Sequence, residues 1–102
     1  MRVISPKALR TFWNEWPDSE APLRLWYAAT IAAQWRNFMQ VRTTFAAADT
    51  VKVASGNTVT VFDIGGNKYR LITAIYYNTG CVYALLVLTR KQYDKQTWKD
   101  RL

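Results

Sequence analysis

Lys68 and Arg70 stand two positions apart in the stretch FDIGGNKYRL (residues 62–71), one intervening residue after a pair of glycines. Cations at that spacing on an extended segment share one side of it. There a guanidinium offers a planar fork of donors and an ammonium a point charge, and both suit phosphate oxygens. The same two residues also serve to keep an exposed strand from adhering to other chains, and the pattern alone balances the two readings. Arg70 lies among apolar neighbours, where a guanidinium is costly unless it meets an anion or a carboxylate.

Other chemistries lack their residues. The 102-residue chain has no His and one Cys, Cys81. That leaves no internal disulfide, no zinc site of the usual kinds and no imidazole to activate a Ser or Cys nucleophile. The seven acidic residues include no DxD or ExxE pair for a metal ion. The IGG triplet precedes a strand and not a helix, so it is neither a P-loop nor a dinucleotide fingerprint. What remains is Arg, Lys, Tyr and isolated Asp, the inventory of a metal-free and cofactor-free ribonuclease. In that chemistry the 2′-hydroxyl of RNA attacks the adjacent phosphate while cations stabilise the added negative charge.

The charge balance agrees with an anionic partner. Fourteen Lys and Arg against seven Asp and Glu give +7, and the last thirteen residues, RKQYDKQTWKDRL, hold five cations and two anions. Nucleic acid is the first candidate partner and an acidic protein the second, with a merely soluble basic surface as the plain alternative. The N-terminus MRVISPKALR has no apolar signal core, and no stretch approaches the roughly 20 apolar residues of a membrane span. A cytoplasmic protein without membrane contact is expected.

Positioning these residues requires a scaffold, and the chain has the length and 50% hydrophobic content for one core. RVIS reads as a short strand. SPKALRTFWNEWP then reads as a helix of about three turns, with Ser5 as N-cap, Pro6 at the first helical position and Pro17 as terminator. Its Leu9, Phe12, Trp13 and Trp16 form one apolar stripe, expected in the core. DSEAPLRLWYAATIAAQW starts a second helix capped by Asp18 or Ser19, completing a helical hairpin. RNFMQVRTTF reads as a loop with a short helical turn. TVTVFDI (58–64), KYRLITAIYY (68–77) and CVYALLVLT (81–89) form an antiparallel meander across GGN and NTG turns.

Within it, Lys68, Arg70, Ile72, Ala74 and Tyr76 share one face, expected to be partly open. The last strand, apolar almost throughout, is expected to be central and covered on both faces. Cys81 reads as a buried packing residue. RKQYDKQTW reads as a short polar helix or tail. The class is α+β, with an N-terminal strand and helical hairpin on an antiparallel meander.

In order and spacing, ISPKALRTFW, APLRLWY, W-RNF, FDIGGNKYRLI and the late T-x-x-x-YDK (Thr89 to Lys95) resemble the HigB-type toxins of bacterial type II toxin-antitoxin modules. The resemblance covers nearly the whole chain, and GGNKYRL is its most specific piece. It implies one RelE-like domain over residues 1–102 and an mRNA interferase, a hydrolase that inhibits translation, commonly acting on the translating ribosome. It also implies a HigA-like helix-turn-helix antitoxin, through which alone operator DNA would be reached. Carried over residue by residue, it implies catalytic roles for Arg70, Tyr93 and Lys95 and RNA-binding roles for Lys68, Arg90 and Lys91. Two positions depart from the pattern. Arg90 stands where relatives commonly have His, removing a proton shuttle near neutral pH, and Asp63 stands where relatives often have Asn. The alternative is a catalytically weakened member of the fold that binds RNA or its antitoxin without cutting.

Overall fold

The computed structural model describes all 102 residues, and its elements follow from the patterns above. A short strand β1 (Arg2–Ile4) leads to helix α1 (Lys7–Glu15), a 3-10 turn (Pro17–Ser19) and helix α2 (Glu20–Ala32). Helix α3 (Phe38–Thr44) follows, then strands β2 (Asp49–Lys52), β3 (Thr58–Ile64), β4 (Tyr69–Tyr76) and β5 (Cys81–Thr89). The chain closes with helix α4 (Arg90–Asp94) and a 3-10 helix (Thr97–Arg101). One five-stranded sheet has the order β1-β5-β4-β3-β2, antiparallel except where β1 pairs in parallel with β5. The α+β class and all three strands of the meander are as expected. No helix is long and apolar enough to cross a membrane.

The helical hairpin covers one face of the sheet. Leu9, Leu23, Trp26 and Val41 meet Phe62, Leu71 and Val82 there, each 1% exposed or less. Burying a side chain of this size stabilises the fold by ~1.5–3 kcal/mol. The opposite face holds a smaller core of Val53, Val59, Val61, Ile72, Leu88 and Trp98. Trp98 comes from the C-terminal 3-10 helix, which thereby roofs the middle of that face.

Several local expectations are corrected. Ser5 does not cap α1: its backbone is left-handed, at φ 64°, and the cap position falls to Pro6. Neither Asp18 nor Ser19 caps α2 through its side chain, because the Ser19 hydroxyl donates back to the Trp16 carbonyl and Asp18 is engaged by β4. Of the α1 stripe only Leu9 is buried, whereas Trp16 stays 38% exposed at the helix end. The segment after α2 is a true helix, begun by the Asn37 side chain accepting from the Gln40 N–H. Strand β5 lies inside the sheet but next to its edge, β4 being the central strand, and neither of its faces is fully covered: Leu86 and Val87, on opposite faces, are half-buried and Tyr83 is exposed. Cys81, at the start of β5, is half-buried and not a core residue.

Candidate functional site

The β3–β4 hairpin turns through Gly65 and Gly66, whose φ angles of 64° and 71° suit residues without a Cβ. The turn sets the register Ile64 opposite Tyr69 and Asp63 opposite Arg70. Side chains alternate, so Asp63 and Arg70 emerge together on the face away from the helical hairpin. There Arg70 Nε lies 3.1 Å from Asp63 Oδ1. One of its terminal nitrogens donates to the Tyr69 carbonyl at 3.1 Å and the other to Asn67 Oδ1 at 3.4 Å. The Arg70 side chain is only 13% exposed. The carboxylate required of a guanidinium among apolar neighbours is therefore Asp63.

Helix α4 brings the late motif to the same place. The Thr89 hydroxyl accepts from the Gln92 N–H at 3.2 Å, and Gln92 Oε1 accepts from the Thr89 N–H at 3.0 Å, a reciprocal capping box. The Arg90 N–H donates to the Lys68 carbonyl at 3.0 Å, fastening α4 to the hairpin turn. In consequence the Tyr93 ring lies under the Arg70 guanidinium, 5.6 Å from its central carbon. Tyr93 also stacks on Trp98, with centroids 5.3 Å apart and planes at 21°, and its carbonyl accepts from the Trp98 indole N–H at 3.1 Å. Burial pushes the Tyr93 phenol above its ordinary value. Arg70 opposes the shift, while Asp49, Asp63 and Asp94 add to it. The phenol is thus protonated, and a donor, across the neutral range.

The exposed side of α4 carries Arg90, Lys91, Asp94 and Lys95 around an open hollow of about 600 Å³. Arg90 Nε is 3.8 Å from Asp94 Oδ2, while Lys91 and Lys95 belong to none of the ion pairs. Lys68 goes elsewhere. It lies in the turn before β4, and its ammonium reaches Asp18 Oδ2 at 3.4 Å, on the side of the helical hairpin. The Tyr69 hydroxyl donates to the other oxygen of the same carboxylate. Lys68 and Arg70 therefore do not share a strand face, because Lys68 precedes the strand. The structure brings Arg70 and Tyr93 together, whereas Arg90, Lys91 and Lys95 line a separate hollow on the exposed side of α4 and its C-cap, which neither Arg70 nor Tyr93 lines.

Three participants were not among the expected site residues: Asp63, Asn67 and Trp98. Asp63 was legible in principle, since a four-residue turn centred on Gly66 and Asn67 sets it opposite Arg70. Trp98 gave no signal, because a tryptophan in a polar tail has no periodicity to reveal what it covers. No three Asp, Glu or Cys side chains converge into a group that could hold a metal ion. The site offers one fixed guanidinium and one neutral phenol, and the exposed side of the helix that brings the phenol adds the two unpaired ammonium groups of Lys91 and Lys95. Such a set can bind a phosphodiester and stabilise charge that grows on it.

This α+β domain with a basic, aromatic-floored site on one sheet face belongs to a known class. Residues 19–96 match the family described as the HigB toxin, RelE-like toxic component of a toxin-antitoxin system, and the chain belongs to that family. It is similar to the mRNA interferase toxin HigB of Escherichia coli (strain K12), 23% identical over 94 residues that cover 92% of this chain and 88% of the relative. The mRNA interferases HigB of Escherichia coli O157:H7 and Shigella flexneri match at the same identity and coverage. Membership of a toxin-antitoxin family implies an antitoxin partner.

Proposed function

We propose that residues 1–102 act as one domain, a metal-independent endoribonuclease that cuts translated messenger RNA on the ribosome. A HigA-like helix-turn-helix antitoxin holds it in check in the bacterial cytoplasm and is its only route to operator DNA. The observation that carries this reading is the Arg70 guanidinium over the Tyr93 ring, 5.6 Å away; the helix that brings Tyr93 also bears Arg90 and Lys91 on its exposed side. The names of the similar proteins, which say mRNA interferase, support the substrate.

In this mechanism the 2′-oxygen forms a bond to the adjacent phosphorus and the bond from phosphorus to the 5′-oxygen breaks. The 2′-hydroxyl proton passes to water. Arg70 stabilises the charge that builds on the non-bridging oxygens, and the Tyr93 phenol gives its proton to the departing 5′-oxygen, recovering it from solvent. Lys95 adds positive charge at the same phosphate, and Arg90 and Lys91 hold the strand on the α4 side, while Lys68, paired with Asp18 at the turn, stands outside this path. Replacing Arg70 by Ala should lower single-turnover cleavage by roughly a hundredfold while circular dichroism stays native, on the scale of losing one electrostatic stabiliser. Cleavage should persist in EDTA. Equal rates for both proteins would remove Arg70 from the site, and activity lost in EDTA and restored by Mg²⁺ would overturn the mechanism.

One observation favours a second reading, a fold member that binds RNA or its antitoxin without cutting. Arg70 is already paired with Asp63 at 3.1 Å, and no histidine is present to move a proton. Expressing the protein without antitoxin and mapping transcript 5′ ends separates the two. New 5′ ends within coding sequence are the expected result; growth arrest without them would assign the binding role.

A further inference from the structure

The sheet face that carries Arg70 extends beyond the roof supplied by the C-terminal residues. At its far end Tyr76 on β4 and Tyr83 on β5 remain 54% and 37% exposed. Their ring centroids are 5.4 Å apart with planes at 83°. Register puts both on this face, since Ala74 pairs with Tyr83 and Tyr76 with Cys81, in the same alternation as Arg70 and Ile72. Arg2 stands opposite Cys81 in the parallel pair, while Val3 beside it enters the core on the helix side, so Arg2 belongs to the face of the two tyrosines. Arg2 is exposed and takes part in no ion pair. Next to Tyr76 lies an apolar hollow of about 320 Å³, lined by Val59, Ala74, Leu85 and Leu102 among others.

Packing does not account for two tyrosines left this open beside a hollow and an unpaired arginine. Aromatic side chains on an open sheet face stack unpaired bases, because every base has a π face, while a nearby cation takes the phosphate. The net charge of +7 opposes a second copy of this chain as occupant and favours a polyanion. Tyr76 lies six residue steps along β4 from Arg70, about 20 Å at ~3.3 Å per step, so one extended strand of RNA reaches both places.

We infer that Tyr76, Tyr83 and Arg2 form a second subsite, which stacks an unpaired base of the RNA strand several nucleotides from the phosphate held at Arg70. The inference rests on the RNA-cleaving reading above and gives that site a direction: the strand runs along β4 across the roof edge.

The test uses the full chain and single-stranded oligoribonucleotides made uncleavable by 2′-O-methylation, with binding read by fluorescence anisotropy. The double change Tyr76→Ala/Tyr83→Ala should weaken binding by about tenfold or more, since base stacking on an aromatic is worth ~1–3 kcal/mol. Tyr76→Phe/Tyr83→Phe should keep it, because the stacking faces remain. Moving a single abasic nucleotide along the RNA should reveal one position that weakens wild-type binding and does not weaken the alanine variant further. Wild-type binding that falls with Arg70→Ala yet is indifferent to every abasic position overturns the subsite and leaves the cleavage reading standing. Wild-type protein that binds none of these RNAs overturns both. A concentration-dependent dimer abolished by the alanine pair assigns the patch to self-association instead.

Discussion

The guanidinium of Arg70 is held by a carboxylate, a backbone carbonyl and an amide oxygen, and the carboxylate decides how much of its charge reaches a ligand. Asp63 is the lever. Changing Asp63 to Asn keeps the shape and an acceptor while removing one negative charge beside the phosphate. Cleavage should then rise by about tenfold, equivalent to ~1.4 kcal/mol of transition-state stabilisation. A fall in rate would mean that Asp63 positions Arg70 more than it attenuates it. On the far side of the turn, the hydrogen bond from Tyr69 holds the Asp18 carboxyl below its ordinary value of 3.8; burial opposes the shift and Lys68 adds to it. The same bond raises Tyr69 from 10.0 to about 12. The lowered carboxyl contributes stability above its unfolded value that is lost as pH falls through the folded one. The raised phenol contributes stability below 10.0 that is lost as pH climbs toward 12. Tyr69→Phe should therefore lower the melting temperature throughout the window between them and flatten its dependence at both ends, as thermal melts across pH would show. If Tyr93 is the acid, as proposed, the absence of His predicts a rate without an ionisation near 6.5, and the raised phenol predicts no loss of activity as pH rises from 7 to 9.

Two elements build the site: a tight hairpin that sets Arg70 opposite Asp63, and a capped helix that carries Tyr93 to meet them. The C-terminal 3-10 helix locks the second onto the sheet through Trp98, 2% exposed and stacked on Tyr93. Trp98→Ala should cost ~3–5 kcal/mol, a large share of the ~5–15 kcal/mol that holds a domain of this size together, and should reduce cleavage in whatever protein stays folded. Denaturant titration measures the first quantity. The three meander strands and two hairpin helices were legible in sequence because runs rich in β-branched and aromatic residues between glycine turns, and a proline-bounded aromatic stripe, leave few alternatives. The caps were not. Ser5 and Asp18 have the right chemistry for helix N-termini, yet a left-handed turn claims one and a tertiary bond to Tyr69 claims the other, and composition does not encode such competition. Lys68 misled for a related reason: strand alternation was extended one residue into a turn, where it does not hold. The pairing of Asp63 with Arg70 was available from loop length, whereas the floor under Tyr93 was not, since it depends on where a polar tail folds back.

Across the whole molecule the +7 charge should make RNA binding fall steeply with salt, by counterion release from each neutralised phosphate. The slope of log affinity against log salt should drop by about one unit when Lys91 or Lys95 is removed, because both are exposed and outside any ion pair. An unchanged slope would put the strand elsewhere. The sheet itself has a consequence for how the protein comes into being. Its first strand, Arg2–Ile4, finds its only neighbour in Cys81–Tyr83, and pairings so distant along the chain are slow to form. At ~5–20 residues per second, β1 waits on the order of ten seconds during synthesis for the segment it will lie against. Arg70 has emerged before then, but without β5 on one side and α4 beneath it. A chain interrupted before Cys81 carries the guanidinium and lacks the surface that aims it, so any capacity to act waits until β5 and α4 have followed Arg70.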